Sequence, residues 1–130
     1  MRAVGDPTVS VSTQLVVTAA DTARSLGSGD VDVLGTPRVL ALAEAATVAA
    51  TAGLLEPGRT TVGTRVELDH LAPSPVGATV RAEARLADRT GRRLTFEVRV
   101  TQGDVLVATG RIVRAIVDRQ RFQASTDERG

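Results

Sequence analysis

The sequence predicts an α+β fold in which an antiparallel sheet of five or six strands wraps around one long central helix. Three observations predict it. Residues 34–55, LGTPRVLALAEAATVAATAGLL, are apolar or small around almost the whole helical wheel and carry one carboxylate, Glu44. From Thr61 to Val117 lie four strand-like segments, three that alternate apolar and polar residues with a period of two and a last one that is apolar on both parities. The chain is 130 residues long and 42% apolar, which suits one domain spanning 1–130 with one core, about residues 9–122, and a polar tail at 123–130.

In order, Val9 to Val17 alternates Val9, Val11, Thr13, Leu15 and Val17 with polar residues, a half-buried strand. Thr18-Ala-Ala-Asp21 resembles a capping box with Asp as its acid, opening a short helix that ends at Gly27. Ser28 to Gly35 is a loop or a brief extended piece. Thr36-Pro37 then starts the long helix, since threonine can cap an orphan N–H and proline has none to lose; Pro57-Gly58 stops it. Such a helix has no wide polar side to give to water, so it is expected to be buried nearly all round. One sheet cannot cover it, and a second copy of the chain is the simplest cover.

Four strands follow. Thr61 to His70 places Val62, Thr64, Val66, Leu68 and His70 on one face, with Gly63, Arg65, Glu67 and Asp69 on the other. Ala78, Val80, Ala82, Ala84 and Leu86 oppose Arg81, Glu83 and Arg85, and Leu94, Phe96, Val98 and Val100 oppose Arg93, Thr95, Glu97 and Arg99. Gln102-Gly103-Asp104 marks a hairpin. Val105 to Val117 is apolar on both parities, as expected of a central or doubly covered strand, and Arg114 shares a parity with Ile112 and Ile116. Asp118 to Phe122 has room for a helical turn.

The composition excludes several functions. With 16 basic residues, all arginine, against 15 acidic ones, no general pull toward nucleic acid or membrane is expected. Without cysteine there is no disulfide, thiol nucleophile or thiolate ligand, and one histidine with scattered acids makes no metal set. Phe96 and Phe122 are the only aromatics, too few for a base-stacking platform. Met1 to Val9 lacks the apolar run of a signal peptide, so a cytoplasmic protein is expected.

Thr36, Glu44 and His70 are the polar groups on or beside surfaces that should be dry. Taken singly, Thr36 reads as a helix cap, Glu44 as an acid paired to an arginine such as Arg114, and His70 as a strand-end histidine. Taken together they suggest hydroxyl or water, base and orienting acid, the pattern for attack on an acyl carbonyl, with the helix N–H groups near Thr36 facing the oxyanion. Thr36 and Glu44 are separated by eight residues, about 12 Å of helical rise, so they cannot bond directly. An imidazole between them or a meeting across a dimer interface would close that gap.

The segments GTPRVLALAEAA, VGTRVELDHLAPSPVG, GRRLTFEVRV and RIVRAIVDRQRF, in this order and spacing, resemble the fluoroacetyl-CoA thioesterase group of the hotdog fold over about residues 9–122. The resemblance implies hydrolysis of an acyl-CoA thioester by a homodimer, with Thr36, Glu44 and His70 as the catalytic set and Gly63 and Arg114 lining the substrate and CoA site. It implies no cofactor beyond the CoA of the substrate. This chain lacks the family's lid phenylalanines: no aromatic precedes Leu55. Fluoroacetyl selectivity is therefore not implied, and the small Ala43 and Ala45 beside Glu44 suggest room for a larger acyl group. Activated water is the favoured nucleophile, since a threonine hydroxyl is weak without a base. A hydratase or dehydratase on acyl thioesters and a non-catalytic acyl-CoA-binding module remain as alternatives.

Overall fold

The computed structural model describes residues 10–129; Met1 to Val9, and the signal-peptide reading made on them, lie outside the described residues. Five strands form one antiparallel sheet: β1 (Val11–Val16), β2 (Arg59–His70), β3 (Thr79–Thr90), β4 (Arg93–Gln102) and β5 (Val105–Asp118). Their order is β1-β3-β4-β5-β2. The doubly apolar β5 is therefore an interior strand, as its sequence predicts, and β2 is an edge. Before the long helix come a 3₁₀ turn (Ala19–Asp21) and α1 (Ala23–Leu26), closed by Gly27 at φ 74°.

The central helix, α2 (Thr36–Ala50), packs chiefly on β1 and β3 through Val39, Leu42, Ala43, Ala46 and Thr47. These join Val80, Leu94, Phe96, Val100, Val107 and Ile112 in a core in which every one of them is at most 3% exposed. One expectation for α2 needs correction. The helix ends at Ala50, short of Leu55, because the Thr51 hydroxyl caps the Val48 carbonyl at 2.7 Å and Gly53, at φ 83°, turns the chain. Within one protomer Pro37, Ala41, Ala45 and Val48 form an exposed stripe on the side away from β1 and β3, the side that one sheet was expected to leave uncovered. Spacings of four, four and three place those residues on one face.

Of the three register shifts in the sheet, the two nearest Arg114 decide which side chains around it reach the inner face. In β2 the pairing shifts between Gly63 and Arg65, and in β3 between Leu86 and Asp88. Each extra residue reverses the alternation beyond it. After the first bulge Val66, Leu68 and His70 face inward opposite β5, as expected. Before it, however, Arg59, Thr61 and Gly63 face inward as well, since Gly63 is paired with the buried Arg114. The sequence had put Gly63 on the polar face.

The outer face carries a checkerboard of charge. One row across four strands runs Arg85, Glu97, Arg111 and Glu67. Glu97 pairs with Arg85, and with Arg111 at 3.5 Å. Finally, α3 (Arg119–Arg129) continues as helix through residues 123–129, where the sequence suggested only a polar tail. Among the described residues no helix is long and apolar enough to cross a membrane.

Candidate active site

The start of α2 is shaped by Gly35, which replaces Thr36 as the capping position. A Cβ on Gly35 would lie 3.1 Å from the Ala23 backbone and 2.9 Å from Leu26 Cδ1, so a side chain here would push this strap off α1 by a few tenths of an ångström. Its N–H donates to the Asp21 carbonyl at 2.9 Å. Relieved of capping, the Thr36 hydroxyl turns to β2, where Thr36 Oγ1 stands 2.7 Å from His70 Nδ1. This short contact joins a hydroxyl to a base, the pairing that activates a weak nucleophile. The helix start offers fewer N–H groups than expected. Pro37 has none, and the Arg38 and Val39 N–H groups are taken by the Gly35 carbonyl, leaving that of Thr36.

His70 is braced from the other side. Beyond it the chain folds back so that the Ser74 carbonyl accepts the Leu34 N–H at 2.8 Å, tying the 71–78 loop to the strap before α2. Among the described residues, His70 Nε2 and Ser74 Oγ are the buried side-chain polar atoms with no hydrogen-bond partner. An imidazole whose Nδ1 accepts a proton must carry one on Nε2.

Glu44 belongs to a second cluster. Its carboxylate accepts from Arg114 Nη1 at 3.3 Å, and Arg114 also donates through Nε to the Thr61 hydroxyl at 2.9 Å and through Nη2 to the Thr61 carbonyl at 3.2 Å. The guanidinium is 8% exposed and the carboxylate 37%, so Glu44 is neither deeply buried nor unpaired. Glu44 is thus held by Arg114, the plainer reading of an acid paired to an arginine, and within one protomer no imidazole bridges it to Thr36. Gly63 completes the cluster: a Cβ there would sit 2.8 Å from Glu44 Oε2 and 3.5 Å from Arg114 Nη1. Within one protomer the five expected residues thus form two groups, Thr36 with His70 and Glu44 with Arg114 and Gly63. Of the flanking alanines, Ala43 is fully buried in the core and Ala45 lies in the exposed stripe.

Sequence reasoning missed the clamp that holds this end of α2. The Asp21 carboxylate accepts the Thr18 N–H at 2.8 Å, the Thr18 hydroxyl at 2.9 Å and Arg38 Nε at 3.1 Å. The Thr18 backbone N–H, joined by the Thr18 hydroxyl and Arg38, holds the Asp21 carboxyl below its ordinary value against the opposing effect of burial. The capping-box pattern gave the Thr18–Asp21 half of this clamp; the Arg38 half needed the fold. A trough of about 830 Å³ on the outer face, lined by Glu67, Glu97, Arg99 and Arg111 among others, carries none of the five site residues. Among the described residues no three His, Asp or Glu side chains converge as metal ligands.

Comparison with known proteins identifies the family. The profile of the fluoroacetyl-CoA-specific thioesterase family matches residues 17–120. The fluoroacetyl-CoA thioesterase of Streptantibioticus cattleyicolor is 34% identical over 98 residues, covering 75% of this chain and 70% of that one. A solved fluoroacetyl-CoA thioesterase superposes with a TM-score of 0.87 at 30% identity, over 94% of this chain and 95% of that chain. A variant of that enzyme solved with fluoroacetate and CoA gives 0.82 at 31% identity, over 88% and 96%. A Thermus thermophilus member of the thioesterase superfamily gives 0.86 at 27% identity, over 92% and 89%. This chain belongs to the fluoroacetyl-CoA-specific thioesterase family, and its curled antiparallel sheet around one long helix is the hotdog fold.

Proposed function

We propose that this chain hydrolyses an acyl-CoA thioester to the free acid and CoA, with His70 as the base, Thr36 as the hydroxyl it engages, and Glu44, held by Arg114, as the working carboxylate. Family membership makes the chain a thioester hydrolase. The observation that carries the residue roles is the 2.7 Å contact between Thr36 Oγ1 and His70 Nδ1. A hydroxyl this close to a neutral imidazole can release its proton to Nδ1 as Oγ1 attacks the carbonyl, or can hold a water that attacks in its place. The C–S bond then breaks and the departing CoA thiolate takes a proton. Attack by Thr36 leaves an acyl ester on Oγ1, which a water must then cleave to release the acid, and attack by water leaves none, so the intact mass of the protein during turnover separates them.

The reading includes a homodimer. It is supported by the outer edge of β2, unpaired among the described residues, by Val66, which faces inward from that edge yet is 43% exposed, and by the apolar stripe on α2. A second copy seated there would also bring further residues to the two polar clusters. Light scattering at micromolar concentration tests it. A cytoplasmic site of action goes with an acyl-CoA substrate.

The deciding experiment is free-thiol release across short, medium, branched and aryl acyl-CoAs, with enoyl-CoA absorbance followed in parallel. Thiol release with a preference beyond acetyl supports a hydrolase with an enlarged acyl site. Loss of enoyl absorbance without thiol would reassign the chain as a hydratase, and a rise in melting temperature with no product would make it a binding module. The absence of aromatics before Leu55 supports an acyl group other than fluoroacetyl.

A further inference from the structure

The arginines of this protein are sorted by position. Seven pair with carboxylates: Arg24, Arg38, Arg65, Arg81, Arg85, Arg111 and Arg114. Among the described residues, those with no such partner include Arg59, Arg89, Arg92, Arg93, Arg119 and Arg121, all at one end of the sheet: the start of β2, the β3–β4 hairpin and the residues just after β5. Two acids stand among these six arginines, Asp118 paired opposite Arg59 and Asp88 beside Arg89, and they offset only part of the charge. Asp88 accepts from the Thr90 hydroxyl at 2.8 Å, and Asp118 accepts the Arg121 N–H at 2.9 Å. In a chain of net charge +1, such a concentration is a local field, not a reflection of the composition.

The bulges give this field a direction. Beyond the β3 bulge Arg89 pairs with Leu94, which in turn pairs with Arg114, and Arg114 with Gly63, so these four residues form one inner-face row across four strands. At about 5 Å per strand, Arg89 stands roughly 10 Å from Arg114 along that row. Before the β2 bulge Arg59 faces inward four residues from Gly63, about 13 Å farther toward the end of the sheet. Arg92 lies at the turn between them, its carbonyl accepting the Ile116 N–H at 2.8 Å. Without the bulges, strict alternation would turn Arg59 and Arg89 to the outer face. All three are exposed.

We infer that Arg59, Arg89 and Arg92 form an anion subsite for the phosphates of the CoA nucleotide, continuing the inner-face track that begins at Glu44, Arg114 and Gly63. Guanidinium groups suit phosphate because they offer planar, bidentate donors and stay charged. The inference rests on the thioesterase reading for its ligand. Spacing over several strands fits a ligand with separated phosphate groups better than it fits a single small anion. The near-neutral charge of the whole chain favours such a ligand over a nucleic acid strand.

The test compares an acyl-CoA with the same acyl group on pantetheine, which lacks the nucleotide, in wild type and in a triple variant Arg59→Gln, Arg89→Gln, Arg92→Gln. The triple variant is expected to raise KM for the acyl-CoA by about tenfold or more, on the scale of one or two charged hydrogen bonds. Its kcat should stay within about twofold, and turnover of the acyl-pantetheine should not change. Arg93→Gln, on the outer face opposite Ala115, is the control and should leave both KM values alone. Adenosine 3′,5′-bisphosphate should raise the melting temperature of wild type and not of the triple variant. Equal KM values for the two thioesters in wild type, an equal loss on both in the variant, or an Arg93→Gln effect as large as that of the triple would overturn the subsite. So would stronger stabilisation by a single-stranded oligonucleotide than by the bisphosphate. If wild type hydrolyses no thioester, the thioesterase reading fails by itself, while the melting experiment still judges the anion subsite.

Discussion

Replacing Gly63 with alanine isolates the placement of Glu44 from the stability of the fold. The added Cβ would stand 2.8 Å from Glu44 Oε2, and ordinary contact begins near 3.4 Å, so the carboxylate must retreat by about half an ångström or more. It can do so by side-chain rotation, because Glu44 is 37% exposed and the atom met is the end of a flexible chain. Gly63 is not among the glycines of positive φ, so the backbone accepts alanine without strain. Stability is therefore expected to change by less than about 1 kcal/mol, as at sites that can relax. Activity is a different matter, since displacing a reacting group by about 1 Å can cost on the order of a hundredfold. Thermal melts and free-thiol release on the same preparation should show an unchanged Tm with kcat lowered by at least about tenfold. A variant that melts and turns over like wild type would refute the claim that Gly63 exists to admit Glu44; one that fails to fold would refute the claim that the clash relaxes locally.

Other perturbations probe other parts of the account. Gly110→Ala is expected to cost at least about 2–3 kcal/mol by denaturant titration, because its Cβ would meet the Leu68 Cα at 3.0 Å and the Glu67 carbonyl, backbone atoms of β2 that cannot step aside. The Asp21 carboxyl, lowered in the folded state, stabilises the fold above its unfolded value of about 3.9, and that contribution disappears as pH falls through the lower folded value. Melts from pH 7 to pH 3 should therefore show Asp21→Asn less stable than wild type at pH 7 by about 1–3 kcal/mol, with the gap closing in acid. Val48→Asp, in the exposed stripe, should halve the mass found by light scattering while leaving the circular dichroism of the protomer intact.

Most of the fold was legible because its signals are local. The period of two marks β2, β3 and β4, the doubly apolar run marks β5, and the run from Val39 to Ala46, apolar but for Glu44, marks α2, whatever lies around them. The Thr36–His70 contact was half legible: parity put His70 on the inner face, and the helix start placed Thr36 at the end of α2. Three things were hidden. The β2 bulge leaves no trace in the pattern Val62-Gly63-Thr64-Arg65, because threonine suits either face; only a glycine inside a strand hinted at it. The early end of α2 depends on a Thr51 hydroxyl and a left-handed Gly53 in a run that is otherwise apolar. The Glu44–Arg114 pair joins residues 70 apart in sequence, and choosing between Arg114 and His70 as the partner of Glu44 needed the register of β5 against β2.

The central claim is that Thr36, His70 and Glu44 drive thioester hydrolysis. It is tested most directly by the turnover of His70→Ala and Glu44→Gln on the best acyl-CoA, each variant first shown to melt like wild type. The account expects kcat to fall by at least about a hundredfold in each, the scale of an acid–base group in place. Near-normal hydrolysis by both folded variants would contradict it.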